Sequence, residues 1–291
     1  MEALNVRIRV PTCATEVRLV CMGCIHHGAA GCDEELADFW YDYVRNTPHT
    51  YLILGGDLVD SIAEKDKRYL EEEVARWCFD KKWGGTLIDR QYHYAAAKWK
   101  DLAFAGKILW IHTGNHELAL KRYASRDLTL DWSRELGIPY AGYSALGNII
   151  IGSPQHRYVV SFYSTHGSGA SQTSGAVLNT AEAMLNRFDV DLALMWHLHR
   201  KMHVASVMLR PSKPVQGTLP QGLPRHRIAA LCGTFLRGYM PGVTSYSEMK
   251  GHRPTPIGPV VIHMKQDRTH DRKAGIENRY IRLWISDAVR L

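Results

Sequence analysis

Short apolar runs alternate with amphipathic segments along the first two thirds of the chain. Five runs rich in Val, Ile, Leu and aromatic residues have the length and composition of buried strands. These runs cover residues 17–22, 51–54, 107–111, 158–164 and 192–196. Apolar residues at helical spacing predict helices over 34–46 and 66–83. Strands that alternate with helices predict an α/β architecture with a largely covered sheet.

The later part of the chain is richer in strand-like runs, which cover residues 227–236, 259–264 and 279–285. No linker divides the chain. We therefore expect a single domain over 1–291, with a core at 17–200 and a strand-rich part at 201–291.

The composition is that of an ordinary globular protein, with 45% apolar and 22% charged residues. No apolar run approaches the ~20 residues that a membrane helix needs, and the N-terminal residues lack the pattern of a secretory signal. We expect a cytoplasmic protein with no membrane partner. Its six cysteines are then thiols or metal ligands, not a disulfide framework.

The charge is unevenly distributed along the chain. Residues 200–291 contain 16 Lys and Arg against 5 Asp and Glu, a net charge of +11. Residues 1–199 contain 20 against 24, a net charge of −4. A basic part favours a polyanionic partner such as nucleic acid, although a solvated surface that aids solubility explains it equally well. The oligomeric state is left open.

Potential metal ligands follow each of the five strand-like runs. In α/β sheets, ligands bind beyond the carboxyl ends of the strands, so these side chains are expected to meet at one edge. They are Cys24 and His26, Asp57 and Asp60, Asn115 with His116 and Glu117, His166, and finally His197 and His199. Two divalent ions bridged by a carboxylate can clamp a phosphate and activate water. Imidazole and carboxylate together favour Mn, Fe, Zn or Ni over Mg alone.

These residues resemble the motifs of the calcineurin-like metallophosphoesterase superfamily: D-x-H, G-D-x-x-D, G-N-H-[ED], H-G and G-H-x-H. They are met here by Cys24-Ile-His26, Gly56-Asp57-Leu-Val-Asp60, Gly114-Asn115-His116-Glu117, His166-Gly167 and His197-Leu-His199. The chain looks most like the single-domain members of phage and mobile elements, and distantly like the SbcD-type nucleases. The resemblance implies a four-layer α/β/β/α sandwich with two mixed sheets.

The resemblance also implies two divalent ions (Mn, Fe or Zn) and a role for each residue. Asp57 would bridge the ions, and His116, oriented by Asp60, would approach the leaving-group or phosphoryl oxygen as an acid or hydrogen-bond donor. The first ion would take Cys24, His26 and His199, and the second Asn115, His166 and His197. Among basic residues, the best placed to meet substrate are Arg200 and Lys201, followed by Arg225 and Arg227.

Two positions depart from the motifs. Cys24 stands where the superfamily has Asp, and a thiolate there would bias the first ion toward Zn or Fe; a weak or empty first site is the alternative. Trp196 stands where the superfamily has Gly, and either packs in the core or stacks on a base. His27, beside the first motif, is expected to face solvent, with a role toward substrate as the alternative.

Three functions remain open at this stage. The first is a metal-dependent phosphodiesterase or nuclease that acts on DNA or RNA. The second is a hydrolase of small phosphates such as cyclic nucleotides, dinucleotides or phosphomonoesters. The third is a non-catalytic binding protein with a crippled first metal site.

Overall fold

The structure is a computed structural model that describes residues 1–64, 66, 69–170, 173–211, 222–242, 246–249, 251, 253–271 and 276–286. The strands are β1 (Glu2–Arg9), β2 (Val17–Met22), β3 (Thr50–Leu54), β4 (Ile108–Ile111), β5 (Ser144–Gly152), β6 (Arg157–Thr165), β7 (Leu192–Met195), β8 (Lys201–Pro211), β9 (Gly222–Cys232), β10 (Val260–Asp271) and β11 (Ile276–Ser286). The helices are α1 (Glu34–Asn46), α2 (Leu87–Phe104), α3 (Asn115–Ala124), α4 (Leu128–Leu136), α5 (Ser174–Arg187) and α6 (Tyr246–Met249).

The strands form two sheets, and both are mixed. One sheet has the order β1-β5-β6-β7-β9-β8, and the other has the order β11-β10-β2-β3-β4. In the second sheet β2, β3 and β4 run parallel, while β10 and β11 are antiparallel to their neighbours. In the first sheet β6, β7 and β9 run parallel, and β8 is antiparallel to β9.

Alternating side chains on each strand place apolar residues on both faces of the sheets. One core lies between the sheets and includes Leu19, Ile53 and Phe162. A second joins the outer face of the β2–β3–β4 sheet to α1, α2 and α4, and a third joins β7 and β9 to α5. The predicted four-layer α/β/β/α sandwich with two mixed sheets is therefore confirmed.

Most of the predicted elements are confirmed. The five strand-like runs of the core correspond to β2, β3, β4, β6 and β7, and the helix predicted over 34–46 is α1. Asp33 caps that helix by accepting a hydrogen bond from the backbone N–H of Leu36 over 3.1 Å. The three later runs overlap β9, β10 and β11, although residues 233–236 of the first run follow the end of β9.

The helix predicted over 66–83 is wrong. This segment contains three short 3₁₀ helices, Glu71–Glu73, Arg76–Phe79 and Lys81–Trp83, while residues 67 and 68 lie outside the described part of the chain. Its backbone pairs with a distant loop: the N–H of Ala30 donates to the carbonyl of Glu73 (2.7 Å), and the N–H of Ala75 donates to the carbonyl of Gly28 (2.8 Å). Tertiary pairing thus takes backbone groups that a helix would have used.

The basic C-terminal part contributes strands to both sheets. Because β10 pairs antiparallel with β2 only through Val260–Met264, its residues 265–271 run past the start of β2. Similarly, residues 222–227 of β9 precede its pairing with β7. Both hairpins therefore extend away from the edge that follows the carboxyl ends of β2 and β7. The single domain over 1–291 stays a prediction.

Within the described ranges, no helix has the length and apolar character needed to cross a membrane.

Candidate metal centre

The loops that follow β2 and β3 lie side by side. The N–H of Cys24 donates to the carbonyl of Gly56 over 2.8 Å, and the N–H of His26 donates to that of Asp57 over 3.1 Å. These bonds continue the pairing of the two parallel strands beyond their ends. Side chains that are about thirty positions apart in sequence are thereby brought to one edge of the sheet.

Several of the predicted ligands have an unusual backbone. Of the eight non-glycine residues with positive φ in the described chain, five are Cys24 (46°), His26 (56°), Asp57 (50°), His197 (68°) and His199 (52°). A Cβ atom makes this left-handed region unfavourable, and such residues cluster at functional sites. Positive φ therefore sets these five predicted ligands apart from most residues of the described chain.

Cys24, His26, Asp57 and His199 form a first cluster, in which one potential ligand atom from each residue lies within 4.8 Å of the others. The Nε2 atoms of His26 and His199 face each other at 3.4 Å. Cys24 is fully buried, and both its burial and the Asp57 carboxylate raise the pKa of its thiol. The structure thus places Cys24 among the other predicted ligands of the first ion.

A second cluster contains Asp57, His166 and His197. Nε2 of His166 lies 3.1 Å from Oδ2 of Asp57, while its Nδ1 donates to the carbonyl of Gly55 over 2.8 Å. Oδ1 of Asn115 lies 3.0 Å from Nε2 of His166 and 2.8 Å from Nδ1 of His197. All three predicted ligands of the second ion are therefore in contact with one another.

Asp57 belongs to both clusters, as a bridging carboxylate must. Burial opposes its ionisation, but His166 and His116 hold the pKa of its carboxyl well below the usual value. Burial, and secondarily the neighbouring His26, lower the pKa of His199 well below its usual value, which leaves a neutral imidazole. Imidazoles, an amide, a thiolate and a carboxylate are suitable ligands for Mn, Fe or Zn. The residues present thus fit divalent metal ions.

His116 lies beside the first cluster. Its ring is 4.6 Å from that of His26, between centroids, and its Nδ1 donates to the backbone carbonyl of Asp60 over 2.6 Å. The Asp60 carboxylate is farther away, at 3.7 Å, so Asp60 orients His116 through its carbonyl. Burial alone would lower the pKa of His116, but Asp57 and Asp60 raise it above its ordinary value. This favours the protonated ring.

Glu117, for which the sequence indicates no role, holds the site loops together. Its buried carboxylate accepts hydrogen bonds from the N–H groups of Gly114 (2.9 Å), Asp57 (3.0 Å) and Leu58 (2.6 Å). These donors come from the loops after β3 and β4. Only a side chain with two acceptor oxygens can bind all of them, but the partners are distant in sequence and cannot be identified from it.

The glycines of the motifs allow these loops to touch. A Cβ atom on Gly114 would lie 2.1 Å from the backbone nitrogen of Asp57. Gly56 has a φ of 86°, and a Cβ atom there would lie 2.6 Å from the backbone nitrogen of Gly114. The loops can approach this closely because both positions lack a side chain.

Trp196 packs in the core, as one of the two alternatives expected. It is 1% exposed, and its indole ring covers the backbone of two glycines. Cβ atoms on Gly23 and Gly55 would lie 2.4 Å and 2.0 Å from that ring. Because the ring is buried, it has no face free to stack on a base.

Arg200 and Lys201 are half-buried and directly follow the predicted ligand His199. The expectation for Arg225 and Arg227 is wrong. Arg225 pairs with Asp189 and, at 2.7 Å, with Asp191. Arg227 is 7% exposed. Its guanidinium donates to the carbonyl of Leu185 in the last turn of α5 and to those of Phe188 and Val190, which follow that helix. Charge alone does not distinguish such structural arginines from substrate-binding ones.

The expectation for His27 is also wrong. Its side chain is fully buried and belongs to neither of the two clusters that share Asp57. Nδ1 lies 2.6 Å from Oε2 of Glu34, and Nε2 lies 3.0 Å from the hydroxyl of Tyr41. The histidine that follows the predicted ligand His26 thus forms hydrogen bonds to side chains of α1. A single sequence does not indicate these contacts.

Comparisons with known proteins give little further information. No protein-family model matches the chain, and no curated protein matches it. A solved structure of a conserved uncharacterized protein from Streptococcus pneumoniae TIGR4, described as a predicted phosphoesterase, is similar at 11% identity and a TM-score of 0.35. The similarity covers 92% of this chain and 99% of that one. The functional interpretation therefore depends on the geometry of the site.

Proposed function

We propose that this protein is a metal-dependent phosphoesterase with a dinuclear metal site. The observation that supports this most directly is the position of Asp57, which is shared by a cluster with Cys24, His26 and His199 and by another with His166 and His197. One carboxylate shared by two groups of metal-ligating side chains is the arrangement that suits two adjacent divalent ions. Such ions polarise a phosphate ester and lower the pKa of bound water.

His116 is the proton donor in this proposal. Its ring lies 4.6 Å from that of the proposed ligand His26, between centroids, and its Nδ1 is engaged by the carbonyl of Asp60. Nε2 is the ring nitrogen that remains to meet substrate. It would donate a hydrogen bond or proton to an oxygen of the ester, and neutralising the charge that develops on the leaving group lowers the barrier.

The substrate in this proposal is a phosphodiester of DNA or RNA. Arg200 and Lys201 follow the last ligand and would contact flanking phosphates. The hydroxyl of Thr255 donates to the carbonyl of His199 over 3.2 Å, so the segment that begins at the exposed Arg253 passes beside the same edge. These residues support a polyanionic substrate better than the basic hairpins do, because the hairpins extend away from this edge.

The first test is hydrolysis of bis(p-nitrophenyl) phosphate by the purified chain with Mn²⁺, Zn²⁺, Fe²⁺ or no added metal. We expect metal-dependent turnover in the wild type and its loss in His116→Ala. Absence of turnover with every metal, in protein that binds the metals, would contradict the proposal and favour a binding protein.

A second test separates nucleic acid from small phosphates. KM for a polynucleotide should rise steeply between about 50 and 200 mM salt because phosphate contacts release counterions. KM for bis(p-nitrophenyl) phosphate, measured in parallel, should change little. If the polynucleotide is not cleaved while cyclic nucleotides or phosphomonoesters are, the small-phosphate alternative is correct.

A further inference from the structure

A third group of potential ligands lies outside the proposed catalytic site. It consists of His27, Cys32 and Glu34, which we call the His27 cluster, and one ligand atom from each residue lies within 4.8 Å of the others. Nδ1 of His27 is 2.6 Å from Oε2 of Glu34 and 4.0 Å from Sγ of Cys32. His27 and Cys32 lie in the segment that links β2 to α1, and Glu34 is the first residue of α1.

The surrounding residues orient these donors toward one another. Nε2 of His27 lies 3.0 Å from the hydroxyl of Tyr41, so Nδ1 is the nitrogen that faces the other two side chains. The hydroxyl of Tyr94 donates to Oε2 of Glu34 over 3.1 Å. Oε1 of Glu34 is buried without a hydrogen-bond partner among the described residues. A ligand histidine held through its other ring nitrogen is a common feature of metal sites.

The cluster is largely enclosed by the surrounding protein. His27 is fully buried, and the side chain of Glu34 is 23% exposed. Imidazole nitrogen, thiolate sulfur and carboxylate oxygen are the three ligand types that zinc takes in proteins. Three protein ligands leave one tetrahedral position for water.

We propose that His27, Cys32 and Glu34 bind a zinc ion that is separate from the ions bridged by Asp57. The segment that carries this cluster begins with the proposed ligands Cys24 and His26, both of which have positive φ. A zinc ion would connect Glu34, at the start of α1, to His27. This connection would hold the backbone of Cys24 and His26 in place. The zinc ion therefore acts on the catalytic site only through the position of this segment.

Zinc content provides the test. The metal-free full-length chain is equilibrated with Zn²⁺, freed of excess by gel filtration and analysed by mass spectrometry for zinc per chain. Cys32→Ser should contain one zinc fewer than the wild type. Cys78→Ser is the matched control, because that thiol is also buried nearby and donates to the carbonyl of Gly28 over 3.7 Å but belongs to no ligand cluster in the described residues.

Equal zinc content in the wild type and Cys32→Ser would overturn the proposal. So would an equal loss in Cys78→Ser, which would indicate general loosening of the fold. If circular dichroism shows that Cys32→Ser does not fold, Glu34→Gln takes its place, since the amide preserves the shape of the side chain. None of these measurements uses hydrolysis, so failure of this proposal is distinguishable from failure of the phosphoesterase proposal.

Cobalt provides a second, spectroscopic readout. Thiolate ligation of Co²⁺ produces a strong near-ultraviolet absorption band, and in the Cys24→Asp variant any such band must come from another cysteine. We expect the band to persist in Cys24→Asp and to disappear in Cys24→Asp/Cys32→Ser. Absence of the band in Cys24→Asp, or its survival in the double variant, would contradict the assignment of Cys32.

Discussion

The backbone N–H of His197 donates to Sγ of Cys24 over 3.2 Å, although the two residues are 173 positions apart in the chain. This contact joins the end of β7 in one sheet to the loop after β2 in the other. It places the thiol at the point where the core between the sheets meets the proposed metal centre. Cys24 is therefore oriented by the structure toward the positions of the other ligands.

Removal of the Cys24 thiol should weaken metal binding by the first cluster. Cys24→Ala should lower the affinity of the first cluster for Zn²⁺ by at least about tenfold, since even the loss of residues that only support ligands costs 10–100-fold. Cys24→Asp should retain binding because a carboxylate replaces the thiolate. Isothermal titration of metal-free protein measures both affinities.

The same variants test the idea of a crippled site. A large gain of activity in Cys24→Asp from a nearly inactive wild type would mean that cysteine does not support catalysis. Comparable activity in both proteins would make Cys24 a functional ligand.

Replacement of His116 should lower kcat and leave the metal content of the protein unchanged. His116→Ala should lower kcat by about 10²–10⁴-fold, the usual contribution of a positioned acid or base. Metal content should stay at the wild-type value, because His116 is not a proposed ligand. A parallel fall in metal content and activity would instead make it a ligand.

Glu117 should be important for stability. Glu117→Ala removes the acceptor of four backbone N–H groups, those of Asp57, Leu58, Val59 and Gly114. The free energy of unfolding should therefore fall by about 3 kcal/mol or more. Urea unfolding followed by circular dichroism measures this change. Glu72→Ala, which removes an exposed carboxylate, is the control and should shift stability by less than about 0.5 kcal/mol.

Arg227 should also contribute to stability, and not to substrate binding. Arg227→Ala removes the donors to three carbonyls, and we expect a loss of about 2–4 kcal/mol. KM of the protein that remains folded should be unchanged. Arg200→Ala should instead raise KM for a polynucleotide. A raised KM in Arg227→Ala would restore the original expectation from the sequence.

Thr86 and Asp89 form a capping box at the start of α2. This box should make part of the free energy of unfolding dependent on pH. Burial alone would raise the pKa of Asp89, but hydrogen bonds from Thr86 and the nearby Arg126 lower it to about 2. A folded-state pKa below the unfolded value of about 3.9 stabilises the fold above that value, and this stabilisation is lost as pH falls toward 2. The stability difference between wild type and Asp89→Asn, from urea unfolding, should therefore shrink between pH 5 and pH 2. A constant difference would show that the carboxylate charge is irrelevant.

Predictions from the sequence succeed where the signal is local. The strand β2 follows from an apolar run and the helix α1 from apolar residues at helical spacing. Each predicted ligand follows a strand end that the sequence indicates. The helix predicted over 66–83 fails because its backbone pairs with residues near Gly28, about fifty positions earlier. A periodic pattern carries no information about such a distant partner.

The sequence by itself determined the α/β architecture, eight of the eleven strands in the described chain and the identity of the ligand-type residues that follow five of them. It did not indicate β1, β5 or β8. The tertiary structure alone decided that Asp57 lies in two clusters, that Glu117 binds the loops together and that Arg227 is structural. The physical reason is that strand and helix formation depends on neighbours a few residues apart, whereas these contacts depend on how two sheets are stacked. The distances between the ends of different strands are fixed only when the two sheets have stacked.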